Sequence, residues 1–490
     1  MQAIAILFGL AVFSPAIWRV VTQAWRNPDA ISTPTWLAAT NALFIFVGPL
    51  VTLLFFAAPD SSASSQSWKI VYVTVAYFAT LAAVYTVIWK GVLGGFVGSR
   101  QSHSAIATLR HSIVSAKPAE VLLVGGALVA ITTWLNAVYA LNVSGGGDYF
   151  KMARLPYAVV VLNTLTMPLT LGAAAAFAWL ASSRQQSQVR LVAAVLLIVM
   201  VGNTLAAGRR ELLWLGAMIG LGVLWSGRKR LGLAVPIVAV FAYVILFIFA
   251  PIFLRARLIY SSPNSPGVAA AFRIAAEEQR SAVVDETGDT LRENMSWRFN
   301  TILFWEDMYA ARSPGEFDGQ ILAQGVMMAL PRALVGFSKY RLGAVDEAVL
   351  GTGDICNNIS LESFLDLGYI GPVVYGVIFG LLYAMADFLL VLTAFRTRVL
   401  AILSSSVLIR LLLGPEVNLI TCFSDFRTLL IYFLVALLIA MLFGRRPMHR
   451  LDSAGRPQPW SGQSRIPFAA AAVPSIAGPA PLALPPRDVA

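Results

Sequence analysis

The chain is a succession of long apolar runs separated by short polar connections, and that pattern leaves few architectures open. A helix needs about 20 apolar residues to cross roughly 30 Å of hydrocarbon. Eleven runs approach or meet that length, near 2–18, 35–57, 69–89, 119–141, 157–181, 191–207, 212–226, 232–253, 367–392, 399–418 and 427–443. In lipid, backbone polar groups must be satisfied internally, so such runs are expected to be helical. The expected fold is an all-α polytopic integral membrane protein with about 11 transmembrane helices. A large, partly helical extracytoplasmic loop lies between helices 8 and 9. Composition agrees: 12% of residues are charged and 58% hydrophobic, where soluble domains carry roughly 25% charged residues. Residues 1–11 have no basic segment ahead of their apolar run, so they read as part of the first span rather than as a signal peptide.

Lys and Arg set the orientation. Arg19 and Arg26 follow the first span, Lys90, Arg100, Arg110 and Lys117 the third, and Arg184 and Arg190 the fifth. Arg228, Lys229 and Arg230 follow the seventh, Arg396 and Arg398 the ninth, and Arg445, Arg446 and Arg450 the eleventh. Every odd-numbered span is thus expected to end in the cytoplasm, with the N-terminus outside and the C-terminus inside. The net charge of +11 is accounted for largely by these anchors, and nucleic acid is not an expected partner. Residues 1–253 carry helices 1–8, 254–366 form an extracytoplasmic cap, and 367–443 carry helices 9–11. Residues 444–490, rich in Pro and Ala, are expected to be a disordered cytoplasmic tail. No internal repeat is visible, which weighs against an inverted-repeat transporter.

The cap is the only long polar segment between apolar runs, and a stretch of that length is expected to be folded. Helical spacing predicts an amphipathic helix across Phe299, Ile302 and Leu303, and a second over 320–329 that ends before Pro331. Ser360 or Asn358 is placed to cap a third, with Glu362 in its first turn. Gly368 and Gly371 allow a tight break where the chain re-enters the membrane. Cys356 and Cys422 both fall on the outer side, paired or as free thiols. His103, His111 and His449 fall on the inner side, so an outer site cannot use histidine as its base. No Cys/His spacing suits zinc, and no cofactor is expected.

The informative charges are those that topology disfavours. Arg209 and Arg210 occupy the short outer turn between spans six and seven. Span seven has only about 15 residues, roughly 22 Å of helix, so the turn is expected to dip into the membrane. Glu211 can neutralise one guanidinium; the other is free for a phosphate, which Arg binds bidentately. An Arg–Glu pair that simply closes the turn is the competing reading. Arg255, just after span eight, suits lipid headgroups or substrate. Arg298 lies beside an apolar helix face, and Arg332 and Arg341 follow the rigid Pro331 turn. Each suits an acidic ligand or a solvated surface. Arg410, inside span ten, needs an intramembrane partner, and Asp387 has the matching depth.

Gly208-Arg209-Arg210, Leu330-Pro331-Arg332 and Ser360-Leu361-Glu362 followed by Gly368 and Gly371, in that order, carry a resemblance. Together with the late outer loop they look like Wzy-type O-antigen and exopolysaccharide repeat-unit polymerases, within the wider group of O-antigen ligases and GT-C-like membrane glycosyltransferases. The resemblance covers roughly 201–380. It implies metal-independent inverting glycosyl transfer of a growing glycan, on the outer face of the bacterial inner membrane. Donor and acceptor would both be linked to undecaprenyl diphosphate, with a flippase and a chain-length regulator as partners. Arg210 and Arg332 match the arginines that would hold the diphosphate, with Arg209, Arg255, Arg298, Arg341 and Asn358 binding substrate. Ligases carry a histidine shortly before the re-entry. Asn357 and Asn358 stand there in this chain, which favours a polymerase and leaves Glu362 as the available base. The alternatives are a ligase and a non-enzymatic lipid-linked oligosaccharide flippase.

Overall fold

The computed structural model describes residues 2–24, 26–50, 66–93, 104–139, 156–205, 209–227, 267–280, 301–330, 358–414 and 419–442. It also describes positions 252, 255, 256 and 259 and the pairs 450–451 and 457–458. The first part of the chain forms α1 (Gln2–Gln23), α2 (Thr33–Ala42), α3 (Ser67–Ile88), α4 (Ala105–Ser115) and α5 (Pro118–Tyr139). It continues through α6 (Tyr157–Ser182), α7 (Ser187–Leu205), α8 (Arg209–Trp225) and α9 (Val268–Arg280). The later helices are α10 (Thr301–Ala311), α11 (Gln320–Ala329), α12 (Ile359–Leu367), α13 (Gly371–Arg396), α14 (Arg398–Leu413) and α15 (Leu419–Leu442). Among the described residues, six helical stretches are long and apolar enough to cross a membrane: Gln2–Gln23, Ser67–Leu93, Pro118–Tyr139, Ser187–Thr204, Ile359–Arg396 and Cys422–Ile439. The chain is a helical membrane protein. The eighth expected span, 232–253, falls outside the described residues except at position 252.

Small residues decide which helices meet. In membranes, association depends on close backbone approach more than on expulsion of water. α13 carries Gly376 and Gly380 four residues apart, and a Cβ on either would come within 2.8 Å of a backbone oxygen of α3, that of Tyr77 or Leu81. α13 therefore lies directly against α3. The alanines of α6, Ala173 to Ala176 and Ala178, are all buried, so α5, α7, α8 and α14 can pack around that one helix.

Met1–Gly444 is one compact unit. Within it, α10, α11 and α12 are packed on bundle helices: α10 on α3, α11 on α15, and α12 on α3 and α13. α11 occupies the span expected from the sequence, Gln320–Ala329, and α10 takes up the expected Phe299-to-Tyr309 periodicity from Thr301 onward. The last carbonyls of α12 run short of partners within the helix, where only that of Phe364 is reached, by the C-cap Gly368 N–H. The loop after α10 supplies the donors: Gly315 N to Phe364 O (3.1 Å), Phe317 N to Leu365 O (3.3 Å) and Gly319 N to Asp366 O (3.1 Å). Gly368 then turns the chain with φ +63°, the left-handed conformation expected of it.

The bundle has two polar ends. At one, the Asp387 carboxylate of α13 accepts from Thr33 Oγ1 of α2 (2.6 Å) and the Tyr85 hydroxyl of α3 (2.6 Å). His111 of α4 meets Asp29 at the same end, and Arg398 donates to the Ser115 carbonyl. The other end gathers the N-termini of α1, α3, α8, α12 and α15 with the C-terminus of α14. A second unit, 445–490, contains β1 (Arg450–Leu451) paired antiparallel with β2 (Pro457–Gln458).

Candidate functional site

The second polar end is built around α12. Its N-cap is Asn358, whose Oδ1 accepts from Ser360 N (3.1 Å) and Ser360 Oγ (2.5 Å), as the sequence expects of a cap. Asn358 Nδ2 donates to Asn41 Oδ1 (2.8 Å), and Asn41 Nδ2 donates to the Leu37 carbonyl (2.9 Å). Both oxygens and both amide groups are thus engaged inside the protein. Around this pair lies a small cavity of about 30 Å³ lined by Asn41, Tyr77, Asn358, Ser360, Tyr383 and Gly414 among others. Two amides, a serine hydroxyl and two phenols give it uncharged hydrogen-bonding capacity, with Leu37, Phe78 and Leu411 as apolar wall.

Glu362 sits in the first turn of α12 and is 6% exposed. Its backbone N–H returns to the Asn358 carbonyl (2.9 Å). Tyr309 of α10 packs beside it and donates its hydroxyl to the Leu361 carbonyl (2.9 Å). Burial, and then the Glu362 carboxylate, push the Tyr309 phenol well above its ordinary pKa. Tyr309 therefore stays a neutral donor at any physiological pH.

Two further buried carboxylates flank α12. Asp366, fully buried, accepts from Ile321 N (2.9 Å) and Leu322 N (3.1 Å) in the first turn of α11, and from the Tyr375 hydroxyl (2.7 Å). It caps α11 from another helix and so fixes where α11 begins. Glu306 of α10, also fully buried, accepts from Gln2 Nε2 (3.1 Å) and the Ser67 hydroxyl. Desolvation raises the Glu306 carboxyl above the ordinary carboxylate range, Asp307 adds to this, and the Ser67 hydrogen bond opposes it.

The expected arginines are distributed as follows. Arg209 and Arg210 open α8, so the Gly-x-Arg turn is the first turn of a helix. Arg255 is bound by Glu278 of α9, Nε to Oε2 at 2.6 Å, with both side chains about two-fifths exposed. Arg298, Arg332, Arg341 and Cys356 lie outside the described residues. Cys422 is buried as a free thiol in the first turn of α15.

Arg410 corrects an expectation. Its partner is Asp425 of α15, Nε to Oδ2 at 3.3 Å, while Asp387 is held by Thr33 and Tyr85. The apolar run continues past Leu413, but the helix stops there, so Arg410 falls in the last turn of α14. A cation is favoured at that helix end. It also places Arg410 at the opposite end of the bundle from the Thr33–Tyr85–Asp387 cluster. The guanidinium carbon of Arg410 lies 5.4 Å from the ring centre of Trp214, four residues after Arg210 on α8. A Cβ on Gly414 would come within 2.9 Å of the same indole. Trp214 itself carried no charge or motif that could have marked it in the sequence. Comparison with family models, with curated proteins and with solved structures finds no match for this chain.

Proposed function

We propose that the chain polymerises undecaprenyl-diphosphate-linked oligosaccharide repeat units at the outer face of the bacterial inner membrane, for O-antigen or exopolysaccharide synthesis. The observation that carries this reading is a convergence. The Gly-x-Arg turn and the Ser-Leu-Glu segment lie about 150 residues apart, yet Trp214, one turn beyond Arg210, packs on Gly414. Gly414 in turn lines the cavity that Asn358 and Ser360 line. The arginine-bearing start of α8 and the buried Glu362 thereby fall at one end of the bundle, where the small polar cavity also lies. In this reading that end is extracytoplasmic, the N-terminus is outside and about eleven helices cross.

The chemistry asked of such a site is modest. The acceptor hydroxyl attacks the anomeric carbon, the bond to the lipid diphosphate breaks, and configuration inverts. Arg210 and Arg332, with Arg209, hold the departing diphosphate and stabilise its growing charge. Arg255, Arg298, Arg341 and Asn358 position the two glycans. Glu362 takes the proton of the attacking hydroxyl. The packed helices α10–α12 exclude water that would otherwise hydrolyse the donor.

The test is direct. Purified protein in lipid nanodiscs is given lipid-linked repeat units, and the products are sized. The wild type is expected to yield a ladder, Arg210→Ala only unextended units, and Glu362→Gln a rate lower by about 10²–10⁴-fold. A wild type that leaves every unit at its starting length overturns the proposal, and translocation without extension replaces it with a flippase.

A further inference from the structure

The Arg410–Trp214–Asp425 cluster has a feature that pairing alone does not explain. Arg410 Nε is enclosed and faces Asp425, which is 5% exposed, and the flat face of the guanidinium lies over Trp214. The side chain is nevertheless 19% exposed, and neither terminal nitrogen hydrogen-bonds to any described residue. An ion pair holds the group from behind and Trp214 covers one face, while among the described residues its two-pronged edge meets no partner. A guanidinium in that state is pre-organised for an oxyanion, because the orienting entropy is spent before the ligand arrives. α8 opens with Arg209 and Arg210, one turn before Trp214, and a helix start, whose first N–H groups have no partner within the helix, favours an anion. Arg427 acts electrostatically on Asp425 from α15, which leaves the carboxylate compensated when Arg410 turns its free edge to a ligand.

We propose that Arg410 is a phosphate-binding residue: its terminal nitrogens take two oxygens of a phosphate or diphosphate, with Asp425 and Trp214 as its supports. This deepens the reading above, on which the ligand is the carrier's diphosphate, but the phosphate chemistry stands on the cluster's own geometry. Asp425 is a positioning residue here, and its carboxylate weakens anion binding while it orients the guanidinium.

Binding of farnesyl diphosphate, inorganic pyrophosphate and farnesol is measured on the full chain in nanodiscs. Farnesyl diphosphate and pyrophosphate are expected to bind and compete, and farnesol not to compete with pyrophosphate. Tighter binding of farnesyl diphosphate than of pyrophosphate marks a lipid ligand; equal binding marks a soluble anion. Arg410→Lys keeps the charge beside Asp425 but loses the fork, so Kd is expected to rise about 10-fold or more. Arg410→Gln combined with Asp425→Asn removes both charges without orphaning either, and is expected to fold with a similar loss. Asp425→Asn alone is expected to bind as tightly as the wild type or tighter. Wild-type binding that Arg410→Lys leaves unchanged overturns the proposal, as does a loss in Asp425→Asn equal to that in Arg410→Lys, since the pair is then only a brace. Diphosphate binding through Arg410 in a protein that never extends a glycan refutes the polymerase and leaves this site standing; a ladder made equally by Arg410→Lys does the reverse.

Discussion

Asp366 offers a place where structure can be turned into a number. Its two oxygens receive three donors: Ile321 N–H, Leu322 N–H and the Tyr375 hydroxyl, at 2.9, 3.1 and 2.7 Å, in a site with no exposure. Asp366→Ala leaves all three buried without an acceptor. At about 1–3 kcal/mol per orphaned group, the cost is about 3–9 kcal/mol, comparable to the whole stability of many domains. Asp366→Asn retains one oxygen and points an amide N–H at a donor, so about 2–4 kcal/mol is expected. Tyr375→Phe removes a single bond, about 1 kcal/mol. The effect should be local before it is global. Hydrogen exchange at Ile321 and Leu322 is therefore the assay, with opening about 30–1,000-fold more frequent in Asp366→Asn. Unchanged protection at those two amides in a folded Asp366→Asn protein would refute the reasoning that Asp366 caps α11.

Glu306 gives a pH dependence of known sign. Burial raises its carboxyl above the ordinary glutamate value of 4.5, so the folded state holds the proton more tightly than the unfolded chain. That contribution is fully present below about pH 4.5 and is lost as pH rises through the folded value. Glu306→Gln should flatten this segment of the stability–pH curve and leave the protein more stable at pH 7, as read by unfolding across pH 4–8. Gly371→Ala should destabilise by about 1–3 kcal/mol or more, because the added Cβ would overlap the Ser363 carbonyl and pry α13 from α12; thermal unfolding in detergent reads it, and a neutral outcome would mean that α12 shifts freely.

Local signals were legible in the sequence. The Asn358 cap, the Gly368 turn and the limits of α11 all depend on residues within a few positions of each other, where backbone chemistry leaves little choice. The apolar runs marked a helical membrane protein for the same reason. What depends on distant partners was not legible. Arg410 announced that it needed a counter-ion, but depth along the chain pointed to Asp387. The choice of Asp425 depends on where α14 stops and on which helices neighbour it. Trp214 looked like one more apolar residue, and only its place over Arg410 gives it a role. Glu306 stood in an apolar stretch of the outer loop, and its burial against Gln2 and Ser67 could not be foreseen from either.

The Asp387 cluster bears on how the protein is made. Tyr85 and its carboxylate are 302 positions apart. At about 5–20 residues per second of synthesis, the ribosome needs about 15–60 s to supply the second after the first. Through that interval the hydroxyls of Thr33 and Tyr85 have entered the bilayer without their acceptor. The N-terminal helices must therefore wait for α13 to bring the carboxylate that completes the cluster.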